Sequence, residues 1–381
     1  MKINYIQVKR TIFFLVLILG GILLSAQNDL SPKPYALLHP PQDITPAKTR
    51  YNKGWESTPI IPPKQRTAKE QAELEKKLDW FFKAKYGLFF HYLPPRDISP
   101  GKWDQMVNAI DVEKFADQVK ETGAGYVVLT IGQSRLYSCA PNPVLEELWE
   151  LEHGKYISER DLPMDVYKAL KKRGIKFMLY IAADTQNRLP VPESFTQESD
   201  RFEKWLKVIK WYSDHYGKRC RGWWVDGLGE FIAEYRSRFH EALKSGNTNA
   251  IIASSTNGLS EFLNGHCDGS WDLQQKYRKP YYGRWDPDYK IQWHVLQYLG
   301  NYWARADTAH STKSMVDYAS DVVRGRGVIT FDIGTFKMVD DKHVDTFLDI
   351  PEGQMVQLIA VRDALKKIKP SDGSGKKSDR K

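Results

Sequence analysis

Cysteine is scarce in this chain: of 381 residues only Cys139, Cys220 and Cys267 carry a thiol. They are widely separated, odd in number and match no metal-ligand spacing, which excludes a disulfide framework and a structural zinc site. One disulfide at most is possible, and a partly buried, inert thiol is the expectation for each. A Gly-rich phosphate loop and a basic helix are also missing, so the marks of a nucleotide or nucleic-acid binder are absent. The net charge of +9 invites that reading, but much of the excess lies in Lys2, Lys9 and Arg10 at one end and in the lysines from Lys366 to Lys381 at the other. The middle is nearly balanced, and no nucleic-acid partner is expected. The apolar run Thr11–Ser25 is about 15 residues, short of the roughly 20 that span a bilayer. Lys9-Arg10 precedes it and Ala26-Gln27 offers a cleavage point, so residues 1–26 read as an export signal. An uncleaved anchor is the alternative, and no Cys follows the run to carry a lipid. The expected location is periplasmic or extracellular, with no stable membrane association once the leader is removed.

What the chain does have is apolar and aromatic bulk. At 41% hydrophobic and 13% aromatic, with 12 Trp and 20 Tyr, it is a folded protein. Residues 27–66 are rich in Pro and read as an extended lead-in. From Thr67 a helix pattern carries Leu74, Leu78, Trp80 and Phe81 as its apolar stripe. Then a unit repeats: a helix, a Gly stop, a short apolar strand and a polar loop. Strands are expected at Tyr86–His91, Tyr126–Thr130, Phe177–Ala182, Trp223–Val225, Ala250–Ser254 and Val328–Asp332. Helices are expected at Asp111–Thr122, Asp161–Arg173, Arg201–Tyr216, Glu230–Ser245, Ser314–Arg324 and Gly353–Lys367. This is the βα repeat of a parallel sheet. Two further strands, near Cys267–Trp271 and Trp293–Leu299, would close an α/β (β/α)8 TIM-like barrel over residues 67–368. The alternative is an open doubly wound sheet, but no Gly-rich turn follows the first strand to mark its nucleotide site. Residues 369–381 form a solvated basic tail.

In a parallel barrel the strand C-termini share one rim, and that rim carries the chemistry. Here it receives His91, Thr130, Asp184, Asp226, Ser254, Ser255 and Asp332. Gly222-Trp223-Trp224-Val225-Asp226-Gly227 is the sharpest of these ends: bulky residues lead into one carboxylate, and a glycine leaves its far side open. Read locally, Asp226 is either a cap for the next helix or a catalytic acid. Two carboxylates on one cleft are the minimum for glycoside hydrolysis. Candidates for the second are Glu230, Glu261, Asp268, Asp272 and Asp332; Asp268 and Asp272 flank Gly269-Ser270-Trp271. Trp103, Trp224, Trp271, Trp285 and Trp303 are candidate walls for a sugar, with core packing the reading for at least two.

The ordered strands resemble the catalytic domain of glycoside hydrolase family 29, the α-L-fucosidases, over roughly residues 79 to 366. The likeness runs through Trp80-Phe81 and Lys85-Tyr86-Gly87-Leu88-Phe89-Phe90-His91, then FADQVKETGAGYVVLT and DLPMDVYKALKKRGIKFMLYIA, GWWVDG, Leu299-Gly300-Asn301-Tyr302-Trp303 and VVRGRGVITFDIG. It implies a retaining glycosidase acting on a terminal fucose-like sugar of a glycan. Asp226 falls on the nucleophile and His91 on a sugar-binding histidine, with Trp224 and Trp303 among the substrate contacts. The family's acid/base position has no clear match here, and Asp268 or Asp272, from the acid–aromatic cluster around Trp271, is the expected acid/base. The resemblance implies that neither a metal nor an organic cofactor is required. Two departures stand out. Where that family carries Lys-His-His-Asp-Gly, this chain reads Ile131-Gly132-Gln133-Ser134-Arg135-Leu136, so Gln133 and Ser134 replace the imidazoles as sugar-binding groups. The family's C-terminal β-sandwich also has no counterpart. Both leave open a hydrolase for a modified or different sugar, or a catalytically silent carbohydrate-binding barrel.

Overall fold

The computed structural model describes residues 66–368, except for 96, 100, 134–136, 186–188, 190–191, 196–199, 229–232, 255–258, 266–282 and 287–288. Helix α1 (Ala68–Ala84) starts at a reciprocal cap: Thr67 Oγ1 accepts from the Glu70 N–H, and Glu70 accepts from the Thr67 N–H. Strand β1 (Tyr86–Phe90) follows, then α2 (Lys102–Asn108), α3 (Val112–Thr122) and β2 (Tyr126–Gly132). Helices α4 (Pro143–Leu148) and α5 (Leu162–Lys172) lead to β3 (Lys176–Ala182). Helix α6 (Asp200–Tyr216), β4 (Gly222–Asp226), α7 (Ala233–Lys244) and β5 (Ile251–Ser254) continue the alternation. Strand β6 (His294–Tyr298), α8 (Thr312–Arg324) and β7 (Val328–Ile333) end the parallel series. A hairpin, β8 (Phe336–Val339) and β9 (Lys342–Thr346), and α9 (Glu352–Lys366) complete the described chain.

The seven strands β1–β7 pair in the order β5-β4-β3-β2-β1-β7-β6, and every pairing is parallel. They form a (β/α)8-like barrel, with all six expected strands and the second of the two expected closing strands in place. The gap between β5 and β6 is filled differently from the expectation. Residues 261–265 lie there: the Glu261 N–H donates to Ile252 O (2.8 Å), Leu263 N–H to Gln292 O (3.0 Å), and Leu296 N–H to Gly265 O (2.8 Å). The segment Cys267–Trp271, expected to supply that strand, lies outside the described residues.

Two apolar clusters result. The larger sits between sheet and helices, where Phe115, Ala116 and Val119 of α3 and Val166, Ala169 and Leu170 of α5 are buried. The smaller fills the barrel: Phe89, Tyr126, Val128, Met178, Tyr180, Trp224, Ile251 and Leu296 meet Leu74, Leu78 and Phe81 of α1. Helix α1 therefore closes the N-terminal mouth as a plug. The Phe81 ring lies 5.0 Å from Tyr126 and 4.7 Å from Phe262. Gly87 makes room at this level, because a Cβ there would fall 2.2 Å from the Tyr126 ring. With the bottom sealed, the described residues leave the barrel open at the strand C-termini.

Candidate active site

The open end is a cleft of about 950 Å³. Its walls include Phe89 and His91 from the end of β1, Gln133 after β2, Tyr180 on β3, Trp224 and Asp226 on β4, and Leu296 on β6. Trp303 and Arg305 follow β6, and Phe336, Met338, Lys342 and His343 come from the hairpin.

Asp226 is half-buried at the last position of β4, after four buried residues. Tyr180 OH donates to its Oδ2 at 3.0 Å, Gln133 Nε2 points at the same oxygen at 3.5 Å, and the Gly227 N–H donates to Oδ1 at 2.9 Å. Three donors from three positions fix the plane of the carboxylate while its open side faces the cleft. Gly227 has φ +67°, and a Cβ there would sit 2.7 Å from Asp184 Oδ1, so glycine answers both a left-handed turn and a close approach. The register between β2 and β3 shifts between Thr130 and Gly132, a bulge placed just before Gln133. Such a bulge re-aims the following side chain, here toward Asp226.

His91 is held from behind. Its Nδ1 lies 2.5 Å from Asp332 Oδ1, and Asp332 is 1% exposed. A carboxylate there accepts, so Nδ1 carries the proton and Nε2 is the ring's second polar atom. The other oxygen of Asp332 accepts from the Ala304 N–H at 2.7 Å. Ala304 is buried with φ +58°, a conformation costly for alanine, and its neighbour Trp303 is brought to 5.7 Å from the His91 ring. Phe89 stacks beneath His91 at 4.1 Å.

Of the expected site residues, the cleft brings together Asp226, His91, Gln133, Trp224 and Trp303. Ser134, Asp268, Asp272 and Glu230 lie outside the described residues. Two candidates for the second carboxylate are otherwise engaged. Asp332 is the buried partner of His91. Glu261 is at the N-terminal end of the barrel, bonded to the Ile252 N–H at 2.7 Å and paired with Lys77 at 2.7 Å and with Lys244. Burial opposes its ionisation, but the Lys244 and Lys77 ammonium groups outweigh that and hold the carboxyl below its ordinary value. Among the tryptophans, Trp103 is core at 1% exposure, and Trp285 packs beside the barrel plug. Thr130 is buried below the rim because β2 runs two residues further than expected. Cys139 and Cys220 are free, buried thiols, and burial pushes Cys220 up to about 12. The residues missed by sequence reasoning are Tyr180, whose alternation in β3 marks it as inward-facing, and the hairpin wall.

No protein-family model matches the sequence, and no curated protein does. Solved structures do match. The endo-fucoidan hydrolase MfFcnA4 from glycoside hydrolase family 107 is similar with a TM-score of 0.59 at 15% identity, over 77% of this chain and 54% of that one. The α-L-fucosidase AlfC gives 0.54 at 16% identity, over 77% of this chain and 100% of that one. A bacterial fucosidase solved with a monovalent iminocyclitol inhibitor gives 0.54 at 14%, over 80% and 76%. The chain thus spans about half the length of the family 107 enzyme. At these identities the likeness establishes the shared barrel fold.

Proposed function

We propose that the protein is an exported, retaining glycoside hydrolase that removes a terminal fucose-like sugar from a glycan. The observation that carries this reading is Asp226, an oriented carboxylate at a strand end in the open barrel mouth, with His91 and Trp303 on the same cleft. The sugar class is supported by the similar structures, whose names specify fucosidase or fucoidan hydrolase. Asp226 attacks the anomeric carbon, the glycosidic bond breaks, and a glycosyl-enzyme ester forms. A second carboxylic acid gives its proton to the leaving oxygen and then takes one from the water that cleaves the ester. We assign that acid/base to Asp268 or Asp272. Gly265, the last described residue before them, accepts from the N–H of Leu296, which lines the cleft. Asp268 follows three residues later, a chain reach of roughly 10 Å. Ser134, beside Gln133, is assigned to sugar hydroxyls. Export rests on the leader at residues 1–26.

The test is hydrolysis of an aryl α-L-fucoside. Asp226→Asn and Asp226→Ala should remain folded and lose at least about 1,000-fold in kcat, with azide restoring turnover in the alanine variant as a glycosyl azide of inverted configuration, the single displacement that identifies Asp226 as the nucleophile, whereas a retained product would mark it as the acid/base. Unchanged turnover in either variant would sink the assignment.

A further inference from the structure

The cleft is wider than the ring of polar groups around Asp226 requires. From His91 a run of aromatic rings leads outward. Trp303 lies 5.7 Å from His91, Tyr298 lies 5.0 Å from Trp303, and Tyr302 lies 6.3 Å from Tyr298. Trp303 is half-buried, Tyr298 is 5% exposed and anchored as the last residue of β6, and the run ends at Tyr302, which is 60% exposed. Tyr302 is the most exposed of the large hydrophobic side chains among the described residues, and it lies on the cleft wall. A flat apolar ring turned to water next to a polar cleft is the arrangement that the C–H face of a sugar ring covers.

The hairpin lines the same cleft. Phe336 and Met338 are half-buried on its cleft side, and His343 stacks on Phe336 at 3.9 Å and 18°. The hairpin is tied to the barrel rim rather than loosely attached. Thr335 Oγ1 donates to His91 O at 2.7 Å, Phe336 N–H to Ala304 O at 3.0 Å, and Thr346 Oγ1 to Leu93 O. Arg305 and Lys342 add donors on this wall, and Arg305 makes a long contact, 3.8 Å, to the exposed Asp341.

We propose that Tyr302 and the hairpin face formed by Phe336, Met338 and His343 make a second sugar subsite, which takes the pyranose on the leaving-group side of an oligosaccharide. The direction follows from the fold. Phe89, Trp224 and Leu296 close the cleft floor above the filled barrel, so a sugar seated at Asp226 continues outward, and among the described residues Tyr302 is the exposed aromatic ring on that wall. This inference rests on the proposed glycosidase reading for its direction.

The experiment compares wild type, Tyr302→Ala and Tyr302→Phe on an aryl α-L-fucoside and on an α-L-fucosylated trisaccharide. It also measures binding of the trisaccharide and of free fucose by calorimetry. The ratio of kcat/KM for the trisaccharide to that for the aryl fucoside should fall about tenfold in Tyr302→Ala and be retained in Tyr302→Phe. Trisaccharide affinity should drop by a similar factor relative to fucose affinity. An unchanged ratio together with unchanged relative affinity overturns the subsite. If wild type hydrolyses neither substrate yet binds the trisaccharide in a Tyr302-dependent way, the subsite stands and the hydrolase reading fails. Absence of binding to both sugars overturns both.

Discussion

Asp332 carries the tightest geometry of the site at the scale of single residues. Both of its oxygens are used, one by His91 Nδ1 at 2.5 Å and one by the Ala304 N–H at 2.7 Å, in a place almost free of solvent. One carboxylate therefore sets the tautomer of His91 and pins the strained turn that carries Trp303. Asp332→Asn keeps the shape but turns one acceptor into an NH2 donor, which must face either the imidazole N–H or the backbone N–H. Hydrogen bonds to charged groups are worth about 1.5–3 kcal/mol, so kcat/KM on an aryl α-L-fucoside should fall about 10- to 100-fold. Circular dichroism should still report a folded barrel. Full activity in that variant would remove Asp332 from this role. In the sequence Asp332 is one more acid at a strand end, and nothing in its pattern announces a partner. What separates them is the partner each meets across the barrel, and β1, β4 and β7 are brought around the ring only by folding. Glu261 makes the same point: its lysines sit 184 and 17 residues away.

Elements were far more legible than partners. The expected helices and strands rest on an apolar period and a Gly stop, signals that act over a few residues, and those within the described residues form where expected to within a few positions. What escaped notice lacks such a signal. The closing segment 261–265 makes only scattered bonds to its neighbours, so it has neither length nor alternation. The hairpin turns at Asp340-Asp341, with φ of +47° and +57°. That is the left-handed pair a two-residue hairpin needs, but it is built without the Asn-Gly or Asp-Gly that would have announced it. The apolar stripe of α1 was readable, but not that it would plug the barrel instead of joining the outer helical layer. The plug makes a specific prediction. Phe81 is fully buried against Tyr126 and Phe262. Phe81→Ala should cost about 3–5 kcal/mol in chemical denaturation, whereas removal of a half-exposed ring on the same helix, Phe82→Ala, should cost clearly less. Equal losses would mean that α1 is a surface helix in solution.

For the whole molecule, the response to acid is set by imidazoles that folding keeps neutral. His294 sits inside the barrel, where its Nδ1–H donates to Leu263 O at 2.9 Å and its Nε2 accepts from Thr330 Oγ1 at 2.7 Å. Thr330 in turn accepts from Tyr126 OH at 2.6 Å. Burial lowers His294 to about 3. His240, on α7, is lowered to about 4 by burial, with the attraction of Glu261 opposing and Lys244 and Arg236 reinforcing the shift. In the unfolded chain both return to about 6.5. Between 6.5 and 4 the unfolded state thus binds protons that the folded state refuses, so stability contributed by these groups is complete above pH 6.5 and is lost as the pH falls. Two such groups give a slope approaching 2.7 kcal/mol per pH unit, and about 3–4 kcal/mol should be gone at pH 5 relative to pH 7.5. Glu261 adds to the loss only at lower pH, because its carboxyl is held below the ordinary range and its contribution begins to fade near the unfolded value of about 4.5. Urea denaturation of wild type and His240→Gln at pH 7.5, 6 and 5 measures the slope directly. The variant should have an acid limb shallower by about one proton, and an identical limb would show that His240 is free to titrate in the folded protein.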